Sequence, residues 1–308
     1  MVEPIKDSEL VIVDGKVYHL RLDASQLARN IFLVGDPDRA DKVADHFDSV
    51  EDKVNNREYM TRTGTYRGMP VTVIGTGIGT DNNEITLVEA YGVNEIDLEA
   101  RIKKEGAKPL TVIRIGTSGG IQRAVEPGTL AISTYGLGLD NTGLFYNAPV
   151  PDSTVLRIEE KAYRLITDAT PDGRRFKGKI YPYASRSSPE VVEALKNGIG
   201  EGYVTGITTT ASGFFGNQGR EIPGLEITIP KLQEHLATLE VDGHRVVNFE
   251  MESSLIFHLT AQMGYRSGTV CVIVANRPAG TFLTDYDSAI ERAIQGGLNA
   301  MLELHQKS

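Results

Sequence analysis

Residues 110–120 read Leu-Thr-Val-Ile-Arg-Ile-Gly-Thr-Ser-Gly-Gly, a β-branched run that climbs into a loop of small residues. Such an unbroken apolar run predicts a buried strand of the kind found in parallel sheets covered on both faces. Glycines at its end let a ligand approach the backbone, and the N–H groups of a small-residue loop favour an anion. Arg114, near the end of the run, carries a planar fork suited to carboxylate or phosphate. Open α/β sheets place their ligands at the carboxyl ends of such strands. Two readings stand at this point: an anion site, or a tight turn with Arg114 in a structural salt bridge.

Strand-like runs recur at 31–34, 71–74, 129–133, 204–209, 246–249 and 268–275, with helical patterns at 38–47, 84–91, 253–263 and 286–305. The last of these carries Ile290, Ile294, Leu298, Met301 and Leu302 on one face. Strands alternating with helices predict an α/β fold with a largely parallel sheet. No repeat or low-complexity block interrupts the chain, which predicts one domain over 1–308 with a short polar extension at about 1–16. The segment 92–109 is charged and helix-prone, and 149–152 and 170–179 are polar and turn-rich.

Bulk properties exclude several classes. A formal charge of −9 argues against a nucleic-acid binder, yet a few arginines in one cleft can still attract an anion. The single cysteine, Cys271, excludes an internal disulfide, and its apolar surroundings predict a buried structural thiol. No Cys/His spacing suggests zinc. Residues 1–10 are polar, unlike a signal peptide, and no run approaches the ~18–20 apolar residues of a membrane span. The expected location is the cytoplasm.

Four further strings carry chemistry. Residues 31–39, Ile-Phe-Leu-Val-Gly-Asp-Pro-Asp-Arg, read as a strand, a glycine and a helix opened by Pro37, with Arg39 able to add a fork to an anion site. The alternative is a capped turn with Asp36 as N-cap. Residues 75–84, Gly-Thr-Gly-Ile-Gly-Thr-Asp-Asn-Asn-Glu, fail the dinucleotide spacing and lack the Lys-Ser/Thr of a P-loop, leaving a tight turn that lines a pocket. Residues 214–220, Phe-Phe-Gly-Asn-Gln-Gly-Arg, could stack on a flat ring while Gln218 and Arg220 bond its edge, or could be a surface loop with an aromatic plug. In Asn-Phe-Glu-Met-Glu-Ser at 248–253, Glu250 and Glu252 share a face if extended. They could act as paired acids or hold sugar hydroxyls, or simply suit a helix N-terminus.

Together these strings resemble the nucleoside phosphorylase-I family. The matching pieces run in the family's order from about residue 17: VYHL at 17–20, GDPDR at 35–39, the arginine of NNREY at 55–59, GTGIG at 75–79, RIGTSGG at 114–120, GNQGR at 216–220, FEMES at 249–253 and ANR at 275–277. The resemblance implies a mixed, largely parallel sheet and a phosphate site of Gly35, Arg39, Arg114 and Thr117. It implies that Arg57 and His19 reach the neighbouring subunit's phosphate and ribose in a homo-oligomer. Met251 and Glu252 match the ribose pair, Gln218 and Arg220 the residues that read uracil, Phe214 the ring that packs on it, and Arg277 an arginine near O4.

Purine-specific relatives carry an aspartate shortly after the last core strand, where this chain has Val274, Ala275 and Asn276. The resemblance therefore points to the pyrimidine branch, with uridine and phosphate as substrates and Arg114, Thr117, Gln218, Arg220 and Glu252 in the catalytic set. It implies no cofactor beyond phosphate as co-substrate. Relatives hold a monovalent cation at the dimer interface; Glu58 matches one ligand, but Asn82 replaces a serine, which leaves that site open. Two departures stand out: Asp81 lies close to the expected phosphate pocket, and 92–109 is longer than in compact relatives.

Overall fold

The computed structural model describes residues 3–307. The main sheet takes its strands in chain order as β1 (Asn30–Val34), β2 (Ser49–Asn56), β3 (Tyr59–Tyr66), β4 (Met69–Gly75), β5 (Thr111–Gly120), β6 (Leu130–Gly138), β7 (Tyr183–Arg186), β8 (Tyr203–Thr210), β9 (Glu240–Val241), β10 (His244–Glu250), β11 (Arg266–Asn276) and β12 (Thr281–Phe282). Their spatial order is β9-β10-β8-β6-β11-β5-β1-β4-β3-β2, with β7 on β6 and β12 on β11. Pairings are parallel between β1 and β4, β1 and β5, β5 and β11, β6 and β8, and β8 and β10. The β2–β3–β4 wing and the β6–β11 contact are antiparallel. The sheet is therefore mixed with a parallel core, as expected.

One pairing shapes the molecule. β10 returns to β5 antiparallel, with Asn248 opposite Gly120 and Phe249 opposite Gly119. Strands β5, β11, β6, β8 and β10 thus close on themselves. β1 occupies an edge of β5 only over Thr111–Arg114. Between Arg114 and Gly119, β5 has neither β1 nor β10 beside it, and the sheet forks there.

Helices cover both faces: α1 (Pro37–Ala44), α2 (Thr80–Glu95), α3 (Ser153–Ala169), α4 (Pro189–Ile199), α5 (Leu232–Leu236), α6 (Ser253–Met263) and α7 (Asp287–Gln306). The pleat divides the apolar residues between them. Phe32, Val34, Ile113 and Ile115 join Val43 of α1, Val191 and Leu195 of α4, and Ile290, Ile294, Leu298 and Met301 of α7. Ile31, Leu33 and Val112 face Leu87 and Val93 of α2 and Leu255 to Leu259 of α6. A third cluster puts Val155, Ile158 and Ile166 of α3 against Tyr135, Leu137, Ile207 and Phe249. Burying each such side chain contributes about 1.5–3 kcal/mol. Among the described residues, no helix is long and apolar enough to cross a membrane.

The structure corrects the sequence reading in places. The segment 92–109 is not one helix: α2 ends at Glu95, and Ile96–Asp97 pairs with Ile102–Lys103 in a small hairpin. The Asp97 carboxylate accepts the N–H groups of Glu99 and Ala100 and turns the chain. Arg101 then donates to the carbonyls of Ile5, Lys6 and Leu10, tying the polar N-terminal segment down. The strands β2 and β3 and the helices α3 and α4 have no counterpart among the sequence expectations. β2 is an exposed polar strand, Ser-Val-Glu-Asp-Lys-Val-Asn-Asn, with little apolar signal to read.

Helices α4 and α7 cross where both carry glycine. A Cβ at Gly198 would meet the Gly296 carbonyl oxygen at 2.4 Å, and one at Gly296 would meet Ile199 at 2.4 Å. Gly198→Leu should therefore force the helices apart and cost about 1–3 kcal/mol, read as a lowered urea midpoint with an unchanged slope. An unchanged midpoint would show that the crossing is not close-packed.

Candidate active site

The fork in the sheet collects the loops after β1, β4, β5, β10 and β11. Arg114 lies at its root, 5% exposed. Its guanidinium folds back over Gly116, where a Cβ would sit 1.9 Å from Nη1, so only glycine fits beneath it. Nη2 donates to Glu252 Oε2, and Nη1 lies 3.3 Å from Glu250 Oε2 and donates to Cys271 Sγ at 3.2 Å. Burial opposes the charge, but Glu252, Cys271 and Glu250 together hold the guanidinium above its usual pKa. Burial also pushes the Cys271 thiol up to about 12, so it is the inert structural thiol expected.

Arg39 comes in from α1. Nη1 donates to the Ile115 carbonyl at 3.4 Å, inside the fork. Burial lowers its pKa; Asp36 opposes that, and the positive charge of Arg114 adds to it. Two buried guanidinium groups thus lie close enough to repel. Asp36 caps α1 by accepting the Asp38 N–H at 3.1 Å, and Pro37 follows it, so the capping reading of this string holds. Thr76 donates its N–H to Val34 O at 2.8 Å, and a Cβ on Gly35 would lie 3.4 Å from Gly77 O, which brings the two glycine loops together. Thr117 lies in the stretch of β5 that pairs on one edge only, with β11, and is partly exposed.

The acidic pair occupies the turn from β10 into α6. Glu250 is wholly engaged: it accepts from the N–H of Glu252 and of Ser253 at 3.0 Å and from Thr210 Oγ1 at 2.5 Å. Glu252 is buried against Arg114 and accepts the Gly79 N–H at 2.9 Å and the Met251 N–H at 3.2 Å. Burial pushes the Glu252 carboxyl up to about 7, against the pull of Arg114 and with a push from Glu250. The two acids therefore differ in role. Glu250 builds the turn, while Glu252 has capacity for a ligand.

A donor-rich group lies beyond β11. Arg277 packs its stem against Gly119, its N–H bonds Gly120 O at 3.0 Å, and Nη1 holds the Gln218 carbonyl at 2.7 Å. Gln218 is buried. Arg220 bonds the Phe214 carbonyl at 2.9 Å and lies 4.2 Å over its ring. Burial lowers the pKa of Arg277 to about 10, and Arg220 adds to that. Asn276, at the position discussed for purine relatives, spends its amide nitrogen on the Gln122, Arg123 and Val125 carbonyls and its oxygen on the Ala279 N–H.

His19 and Arg57 form a separate group. Arg57 tops the β2–β3 hairpin with a positive φ of 54° and bonds Tyr18 Oη at 2.9 Å. His19 bonds Glu89 of α2, and its carbonyl takes Asn56 Nδ2 at 2.7 Å. Glu58 and Asn82 both lie against Gly77. Asp81 is exposed in the first turn of α2, where the helix dipole favours an acid. Sequence reasoning did not single out Gly79, Thr210, Asn276 as a structural hub, or Glu89. Only the acidic spacing hinted at the role of Glu250.

The phosphorylase superfamily model matches residues 29–300. A uridine phosphorylase of Thermococcus kodakarensis is 30% identical over 269 residues, covering 87% of this chain and 80% of its own. That of Escherichia coli is 27% identical, covering 85% and 86%. A solved Trypanosoma brucei nucleoside phosphorylase with uridine phosphorylase activity superposes with a TM-score of 0.85 at 32% identity, over 96% of this chain and 99% of that one. A Toxoplasma gondii purine nucleoside phosphorylase, at 20% identity and a TM-score of 0.67 over 97% and 100%, shares the fold. The forked sheet, the order of its loops and these matches place the chain in the phosphorylase superfamily, among the nucleoside phosphorylases.

Proposed function

We propose that the chain catalyses the reversible phosphorolysis of uridine to uracil and ribose 1-phosphate, a step of pyrimidine salvage. The observation that carries this reading is what gathers around the sheet fork: paired guanidinium groups, a carboxylate on one of them, and the Arg277–Gln218 group packed on Gly119. Phosphate lies against Gly35, Arg39, Arg114 and Thr117. Glu252 and Met251 hold the ribose, and Phe214, Gln218, Arg220 and Arg277 take the base. Uridine phosphorylases from T. kodakarensis and E. coli, and the T. brucei enzyme, support the substrate.

In this arrangement phosphate attacks C1′ from the face opposite the base. The new C–O bond forms as the C1′–N1 bond breaks, through an oxocarbenium-like transition state. The bond's electron pair passes to uracil and spreads over N1, O2 and O4. Arg39 and Arg114 supply positioning. Gln218 and Arg220 are donors where negative charge develops. A purine leaves most readily when protonated at N7, which calls for an acid; Asn276, spent on backbone, offers none. Arg57 and His19 reach the neighbouring subunit's phosphate and ribose, so the working unit is an oligomer.

Uracil release should require phosphate and fall to background without it, monitored by ultraviolet difference spectra. Release at an equal rate in phosphate-free buffer would contradict phosphorolysis. Uridine binding without phosphate should weaken as pH falls through about 7, because Glu252 then gains a proton and loses acceptor capacity. Titration calorimetry showing constant affinity across that range would remove Glu252 from the ribose site.

A further inference from the structure

We propose that Glu89 is a positioning residue that fixes the His19 ring with its proton on Nδ1, leaving Nε2 as an acceptor for a ribose hydroxyl in the neighbouring subunit. The inference rests on the function proposed above. Glu89 lies on α2 and is 6% exposed. Its carboxylate takes the His19 N–H at 2.9 and 3.0 Å, the Leu20 N–H at 2.7 Å and His19 Nδ1 at 2.7 Å. A carboxylate only accepts, and backbone N–H groups only donate. Glu89 Oε1 therefore accepts a hydrogen bond from Nδ1–H, and a neutral ring must then carry its lone pair on Nε2.

The surroundings hold this geometry from other sides. Asn56 fixes the His19 carbonyl, and the rings of Tyr18 and Tyr59 stand edge-on at 4.9 and 6.3 Å. Tyr18 Oη accepts from Arg57. The two side chains expected to serve the neighbour thus belong to one group around Tyr18. Helix α2 links that group to the chain's own cleft, because Gly79, which caps α2, holds Glu252. A ring locked in one tautomer loses no freedom on binding and cannot present the wrong nitrogen.

Nitrogen-15 NMR of the native protein, with His19 assigned through a His19→Ala sample, reads the tautomer directly. The proposal expects Nδ1–H with an unprotonated Nε2; a proton on Nε2 with Nδ1 bare overturns it. Kinetics supply the second readout. Glu89→Gln and His19→Ala should each lower kcat/KM for uridine about tenfold, and the double variant should be no worse than His19→Ala. A purely structural role would multiply the two losses and overturn the proposal. Should Glu89→Gln fail to fold, the native spectrum still decides. Failure of the native protein to release uracil would sink the reading of function instead, whatever the tautomer.

Discussion

Arg114 carries its charge almost wholly buried, and its two carboxylate partners reach it from a turn whose geometry one of them sets. Glu250 fastens the N–H groups of Glu252 and Ser253 and the hydroxyl of Thr210, and in doing so aims Glu252 at the guanidinium. Removing one partner from a buried pair of this kind typically costs about 3–5 kcal/mol, because the other charge is left uncompensated. Gly116 is required beneath the arginine, and Gly79 holds the far oxygen of Glu252. The cleft cannot be altered at one of these points without disturbing the others.

The fork gives this charge cluster its use. Because β10 closes onto the end of β5 while β1 leaves it after Arg114, a stretch of strand is left with an open edge. Arg39 enters there and takes the Ile115 carbonyl. Two guanidinium groups and two carboxyl groups then lie together at the fork. In the function proposed, a phosphate ion arriving at Arg39 and Arg114 meets donors already oriented, and Glu252 holds the sugar. The donors around Gln218 lie next along β11, since Arg277 packs on Gly119 at the fork's far end. The proposed phosphate, sugar and base sites thus follow one another along the ends of adjacent strands.

Much of this was legible in the sequence. The apolar runs at 31–34, 110–115 and 268–275 became central strands because burial on both faces leaves an unbroken signal. The face of α7 came out as predicted, with Ile290, Ile294, Leu298 and Met301 buried and Leu302 partly buried against them. Arg39, Arg114, Glu252, Gln218, Arg220 and Arg277 were named from their strings; in the structure Glu252 pairs with Arg114, Arg39 bonds the Ile115 carbonyl, and Arg277 joins Gln218 to Gly119. The partners were not legible. Nothing local shows that Arg114 folds over Gly116, that Asn276 is consumed by three carbonyls, or that Glu89 waits for His19 from a segment far away in sequence. The β2–β3 hairpin escaped because an exposed polar strand carries little apolar alternation. The segment 92–109 was misread because its charged residues suit a helix while the Asp97 turn breaks it.

The central claim is that phosphate, held by Arg39 and Arg114 on the face opposite the base, is itself the nucleophile at C1′. Proton and phosphorus NMR of the sugar product tests this most directly. A single displacement from that face inverts C1′, so the β-nucleoside should give only the α-anomer of ribose 1-phosphate. Free ribose, or the β-anomer, would contradict the account.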